Sequence, residues 1–276
     1  MSKVTRSGKE RQKPNFLVIG AQKSGTTWLY YYLREHPDVF VPYEKKELAF
    51  FDEKRNFEKM EFDGYCAYFK GVQNERAIGE VTPGYLWCSN SHPEWGALPP
   101  FREGIPRRVL SYLGNDLKII VLLRNPVDRA ISAFLHHKAK GRFAPDCCFS
   151  EAVKEHGIAH MGFYFAHLSK WLDIFEEKAF FITTYERFFA DSASHKAVQQ
   201  FLRIPVVDQA EKLGDRIHVG TGFTRNNSGA FDSNSEMVAT KEQIDALRLA
   251  YFDDVGKLRR ILNLDTSSWR SDFGKV

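Results

Sequence analysis

A three-layer α/β fold, with a central parallel sheet flanked by helices, is what the apolar pattern of this 276-residue chain predicts. Three observations carry that prediction. The short β-branched run at 16–19 (FLVI) ends on Gly20 and gives way to helical spacing from Thr26, a strand–turn–helix unit. The run at 117–123 (LKIIVLL) is apolar almost throughout, as a strand covered on both faces must be, and Pro126 then opens a helix. A third strand, Phe180–Thr184 (FFITT), follows another helical stretch at 163–175, continuing the alternation that builds parallel sheets.

Each element has its own signal. The helix at 26–35 spaces Trp28, Leu29, Tyr32 and Leu33 along one face and stops before Pro37. The strand at 117–123 is expected at the centre of the sheet, and the helix from Pro126 is expected to run to His137. Lys241–Leu262 reads as a long amphipathic helix with Ile244, Leu247, Leu249, Tyr251, Val255 and Leu258. Two stretches read as surface loops: the proline-rich 87–108 and the glycine- and asparagine-rich 220–235.

Charge sharpens the picture once it is located. Lys3, Arg6, Lys9, Arg11 and Lys13 stand against Glu10, so the first thirteen residues hold the whole net charge of +4. The rest is formally neutral, which argues against nucleic acid as a partner. Residues 1–14 are expected to form a solvated basic tail and 15–276 a single domain, 43% hydrophobic overall and ample for a core. Cys66, Cys88, Cys147 and Cys148 show no metal or redox spacing and no secreted disulfide framework. The run at 16–19 is too short for a signal-peptide core or a membrane span, so the sequence reads as soluble and cytoplasmic, or as a domain of something longer.

Two segments read as anion sites. Gln22, Lys23, Ser24, Gly25, Thr26 and Thr27 fill a turn between a strand and a helix, where backbone N–H groups and the positive helix end can cradle a phosphate. Two glycines five positions apart match the frame of the nucleotide-triphosphate loop, but Thr26 follows the second glycine where that frame needs lysine. The second segment (LRNPVDRAIS) places Arg124 at a strand end and Ser132 one helical turn beyond Arg129, an arginine–hydroxyl pairing suited to a phosphate monoester. A magnesium-dependent phosphotransferase often has an aspartate at such a strand end. Arg124 stands there instead, although Tyr185-Glu186 leaves a displaced acidic residue open.

At these two sites the chain resembles the sulfotransferases that use 3′-phosphoadenosine 5′-phosphosulfate (PAPS). FLVIGAQKSGTT resembles their 5′-phosphosulfate loop and LRNPVDRAIS their 3′-phosphate motif. His36-Pro37, KELAFFD at 46–52, EVTPGY at 80–85 and the stretch 251–269 extend the likeness, and KELAFFD brings it nearest the heparan sulfate glucosamine N- and 3-O-enzymes and their bacterial relatives. The resemblance implies a P-loop-like fold and PAPS as cosubstrate, with no metal. It implies that Lys23 binds the 5′-phosphate and neutralises the leaving oxygen, helped by Gly25, Thr26 and Thr27. Arg124 and Ser132 would hold the 3′-phosphate, Arg225 would stand in for a basic loop, and Glu47 would be the general base. The 3-O enzymes carry histidine where Ala49 stands and lysine where Val81 stands, which argues against a heparan-like acceptor.

Glu80 is the second candidate for the base, with His136 and His137 after it, because a buried carboxylate or an imidazole can take a proton near neutral pH. Phe50, Phe51, Tyr85, Trp87 and Trp95 are aromatics that either stack on an acceptor or belong to the core. The expected reaction is sulfuryl transfer to a hydroxyl or amine, on a carbohydrate or on a small or carrier-tethered metabolite. The competing readings are a magnesium-dependent phosphotransferase and a non-catalytic nucleotide-binding module.

Overall fold

The computed structural model describes residues 11–208, 224–225, 231–233 and 236–274. Five strands, β1 (Phe16–Gly20), β2 (Val39–Phe40), β3 (Ala77–Val81), β4 (Lys118–Leu123) and β5 (Phe180–Thr184), form one sheet in the order β2-β3-β1-β4-β5. Every pairing in it is parallel. β4 is interior, as its apolarity predicts, but the middle place belongs to β1.

The period of two along each strand divides the core. Leu17, Ile19, Ile119, Val121 and Leu123 feed one apolar cluster, and Phe16, Val18, Ile120 and Leu122 feed the other. α1 (Thr26–Arg34) covers the second face with Trp28, Leu29, Tyr32 and Leu33. On the first face lie α4 (Pro126–Ala139), through Val127, Ala130, Ile131 and Phe134, and the helix Lys241–Leu262, through Ile244, Leu247, Tyr251, Val255 and Leu258. This is the three-layer arrangement the sequence predicts. Sheet packing is tight enough that a Cβ on Gly79 would lie 2.5 Å from the ring of Phe16, so β3 tolerates only glycine there.

Strand order also fixes where ligands go. From β1 the chain goes out to the edge strand β2 and back in to β3 on one side, then crosses to β4 and β5 on the other. Such a reversal opens a crevice at the carboxyl ends of the strands. The loop after β1 and the turn after β4 both leave the sheet there.

Two loop expectations need correction. In 87–108 the prolines start helical turns instead of forbidding them: Pro93 and Pro100 open 3-10 turns, and Pro106 lies in the first turn of the helix Ile105–Leu113, which contains Arg108. Proline at a first-turn position gives up no helical hydrogen bond and brings a suitable φ. In 220–235, Thr224–Arg225 is a strand paired antiparallel with Phe231–Ser233, which in turn pairs antiparallel with Glu236–Ala239. The remaining residues of that stretch, and the tail up to residue 10, lie outside the described residues. The four cysteines are free. No helix among the described residues is long and apolar enough to cross a membrane.

Candidate active site

β1 delivers the first loop into the crevice. Ala21 N donates to Leu122 O at 2.7 Å and Ser24 N to Ala21 O at 3.2 Å, folding the chain sharply. Lys23 and Gly25 both take left-handed backbone, at φ 68° and 83°, the conformation from which anion-binding concavities are built. Glycine is required at 25, where a Cβ would also come within 2.6 Å of Phe189. α1 then begins on Gly25 with no side-chain cap and no acidic residue in its first turn, so its first N–H groups find no partner from a capping side chain.

The side chains of this loop fit an anionic ligand. Ser24 is fully buried and its hydroxyl has no partner among the described residues, nor has the buried Gln22 Oε1. Burial, then the neighbouring Arg124 and Lys46 charges, push the Lys23 ammonium below its ordinary value. An anion placed among these cations would relieve the repulsion. Thr27 is exposed, and its Oγ1 accepts from Lys46 Nζ at 2.8 Å.

The second segment meets the first. Arg124 follows β4, and its Nη1 donates to Lys23 O at 3.4 Å while its guanidinium lies 5.1 Å from the Tyr185 ring centroid. Tyr164 OH donates to Arg124 O at 2.9 Å, fixing the strand end. Asn125 caps α4 by accepting from Val127 N at 3.0 Å. Glu186, the displaced acid left open by the sequence, is bonded into this turn. Its Oε1 accepts from Asn125 N at 3.1 Å and its Oε2 from Trp269 Nε1 at 2.8 Å.

Ser132 is buried on α4, but its expected partner is not Arg129. Arg129 is completely buried and donates to the carbonyls of Gly157 and Ile158, so it braces the core and cannot reach a phosphate at the surface. Helical spacing alone did not reveal that Arg129 points inward. Arg225 stands in a strand whose side chains lie outside the described residues.

The two candidate carboxylates differ in surroundings. Glu47 is half-exposed, and its Oε1 lies 3.0 Å from Lys46 Nζ. Glu80, on β3 beside Leu17, is fully buried. It accepts from Tyr65 OH at 2.7 Å, Thr82 Oγ1 at 2.8 Å and Tyr85 OH at 2.9 Å. Burial pushes its carboxyl up to about 7 despite those donors. Tyr85 OH in turn accepts from Phe50 N at 3.1 Å, and Thr82 Oγ1 from Ala49 N at 3.4 Å. Glu80 therefore anchors the loop that carries Glu47.

His137 is also occupied: it is buried, bonded to Arg142 at 2.7 Å and stacked on His156, and burial lowers it to about 3. His136 is half-buried and feels both Lys23 and Glu47, with burial the main cause of its lowered value. Of the aromatics, Phe50, Phe51 and Tyr85 are core, and Trp87 is buried under Arg102 with its Nε1 donating to His160. Trp95 is half-buried. Sequence reasoning missed Lys46, which reads as one member of a solvated charge run. Its sequence signals are its place beside Glu47 and at the head of KELAFFD. Among the described residues, no group of three or more His, Cys, Asp or Glu side chains is set to hold a metal ion.

Residues 13–219 match the family model described as the sulfotransferase domain. The chain is 36% identical over 124 residues to the membrane-associated sulfotransferase kil1 of Dictyostelium discoideum, covering 44% of this chain and 22% of that protein. It is 29% identical over 206 residues to heparan sulfate glucosamine 3-O-sulfotransferase 6 of Mus musculus, covering 70% of this chain and 53% of that one. The chain thus spans about half the length, or less, of these curated relatives. A crystal structure of a sulfotransferase from Alicyclobacillus acidocaldarius superposes with a TM-score of 0.69 at 25% identity, over 94% of this chain and 99% of that one.

Proposed function

The chain belongs to the sulfotransferase-domain family, and from that premise we propose that it moves the sulfuryl group of PAPS to a hydroxyl or amine of a carbohydrate. One observation carries the reading. Two anion cradles far apart in sequence meet at the carboxyl end of the sheet, where Arg124 Nη1 reaches Lys23 O at 3.4 Å. PAPS has two anionic ends, a 5′-phosphosulfate and a 3′-phosphate, and needs both cradles at once.

Gln22, Lys23, Ser24, Gly25, Thr26 and Thr27 would hold the 5′ end through backbone N–H groups, hydroxyls and the ammonium. Arg124 and Ser132 would hold the 3′-phosphate, with Arg225 as a further cation. When bound, PAPS supplies an activated sulfur with phosphate as leaving group. Glu47 takes the proton of the acceptor as its oxygen or nitrogen attacks sulfur. Lys23 neutralises the electron pair left on the phosphate oxygen as the bridging sulfur–oxygen bond breaks, an interaction that strengthens as charge develops. Glu80 keeps the Glu47 loop in place and takes no proton from the acceptor, since both of its oxygens are already occupied.

The mouse relative named for glucosamine in heparan sulfate supports an amino-sugar acceptor. Uncharged Ala49 and Val81 and the neutral body support one of low charge. The test is transfer of radiolabelled sulfur from PAPS to a panel of neutral amino-sugar oligosaccharides, heparan sulfate and small hydroxylated metabolites. Label should pass to the neutral sugars. Label on the metabolites alone would place the acceptor among them, and no transfer to any of the three would refute the proposal.

A further inference from the structure

We propose that Lys46 is a second ammonium of the transfer site, one that binds the sulfonate of the donor and ties it to the base. This rests on the sulfotransferase reading and goes beyond it, because neither the phosphate-loop pattern nor the 3′-phosphate pattern includes this residue. The observation is a bridge. Lys46 Nζ donates to Thr27 Oγ1 at 2.8 Å on one side and to Glu47 Oε1 at 3.0 Å on the other. Thr27 belongs to the first turn of α1, on the donor side of the crevice, and Glu47 to the loop that faces the acceptor. One side chain therefore touches both halves of the reaction.

The chemistry of lysine makes this more than a surface ion pair. An ammonium has three N–H donors in a tetrahedral array and no acceptor. Thr27 and Glu47 use two of them, and the third suits an oxygen lying between those two residues. The group between a phosphate-holding turn and a general base in a sulfuryl transfer is the sulfonate. The Lys46 charge also lies close enough to Lys23 to disfavour the Lys23 ammonium. The Lys46 side chain is only 22% exposed, so its position is set by these partners and not by open solvent.

In the transfer itself Lys46 gives and takes no proton. It holds a sulfonate oxygen while the acceptor-to-sulfur bond forms, the proton passes to Glu47, and the electron pair of the broken sulfur–oxygen bridge stays on the phosphate next to Lys23. The separation of labour is specific. Lys23 answers the leaving phosphate, which PAPS and its desulfated product 3′-phosphoadenosine 5′-phosphate (PAP) share, and Lys46 answers the sulfonate, which only PAPS carries.

That difference supplies the test. The wild-type chain, Lys46→Met and Lys46→Arg would each be titrated calorimetrically with PAPS and with PAP, without acceptor. Lys46→Met should bind PAPS about tenfold or more weakly, the loss of one charge-assisted hydrogen bond, and PAP within about twofold of wild type. Lys46→Arg should recover most of the PAPS affinity. Equal weakening toward both ligands would overturn the inference by assigning Lys46 to the support of Thr27 alone, and unchanged affinity for both would overturn it outright. A wild-type chain that bound neither ligand would instead refute the underlying sulfotransferase reading.

Discussion

Glu47 is half exposed and paired with Lys46, whereas Glu80, which fixes the same loop through Thr82 and Tyr85, is fully buried and accepts from three hydroxyls. Both are glutamates within reach of one short segment, and both are candidates for the base. Their surroundings assign them different work. A base must meet its substrate and exchange its proton with water, which Glu47 can do. A buried carboxylate with both oxygens already accepting from Tyr65, Thr82 and Tyr85 serves to hold backbone in place. On the proposed assignment, reactivity follows access and unfilled hydrogen-bonding capacity more than the size of a pKa displacement. Glu80 has the strongly raised value and the lesser claim to chemistry.

Substitution of each carboxylate breaks or sharpens that contrast. Glu47→Gln should show the largest effect, a fall in turnover of ~10²–10⁴ with PAP affinity retained, measured by initial rates and calorimetry. Unchanged turnover would return the role of base to Glu80 or His136. Lys23→Ala should cost ~10²–10³ in turnover. Arg124→Ala should act on binding, weakening PAP by about tenfold to a hundredfold, the worth of a charge-assisted hydrogen bond. Equal losses of turnover and affinity in both variants would mean that the two cradles are not divided as described.

Glu80→Gln should appear first in stability. The folded carboxyl is raised to about 7 from an ordinary value of 4.5, so below about pH 4.5 both states are protonated and the native state loses nothing. As pH climbs through 7, the folded state must ionise a buried group that the unfolded chain ionises more readily, and stability falls. Wild type should therefore lose more unfolding free energy than Glu80→Gln between pH 5 and pH 8. The comparison of variants isolates this group from Asp52, which burial also raises, to about 6. Equal pH dependence in the two proteins would contradict it. The smallest effect belongs to Tyr85→Phe, which removes one donor to Glu80 and the acceptor for Phe50 N, at a cost of about 1–3 kcal/mol in chemical denaturation.

Much of this site is legible in the sequence where local chemistry settles the matter. The runs at 16–19 and 117–123 become strands because no other local structure buries continuous β-branched residues so well, and Lys241–Leu262 is read to its ends because Thr240 caps it and Asn263 stops it in left-handed backbone. The loop from Gly20 to Thr27 is legible for the same reason. Long-range direction is what escapes. Helical spacing puts Arg129 and Ser132 near one another but does not say that Arg129 faces the core. Phe50, Phe51 and Tyr85 carry no mark that separates core from ligand contact. Lys46 is hidden because its partner Thr27 is nineteen residues away and meets it only through the fold.

The central claim is that the two cradles together hold a nucleotide with a phosphate at each end. It is tested most directly by calorimetric titration of the wild-type chain and Arg124→Ala with PAP, and separately with ADP plus magnesium. The account predicts metal-independent binding of PAP that weakens sharply in Arg124→Ala, with ADP and magnesium bound poorly by both. Preference for ADP with magnesium, or PAP affinity indifferent to Arg124, would contradict it.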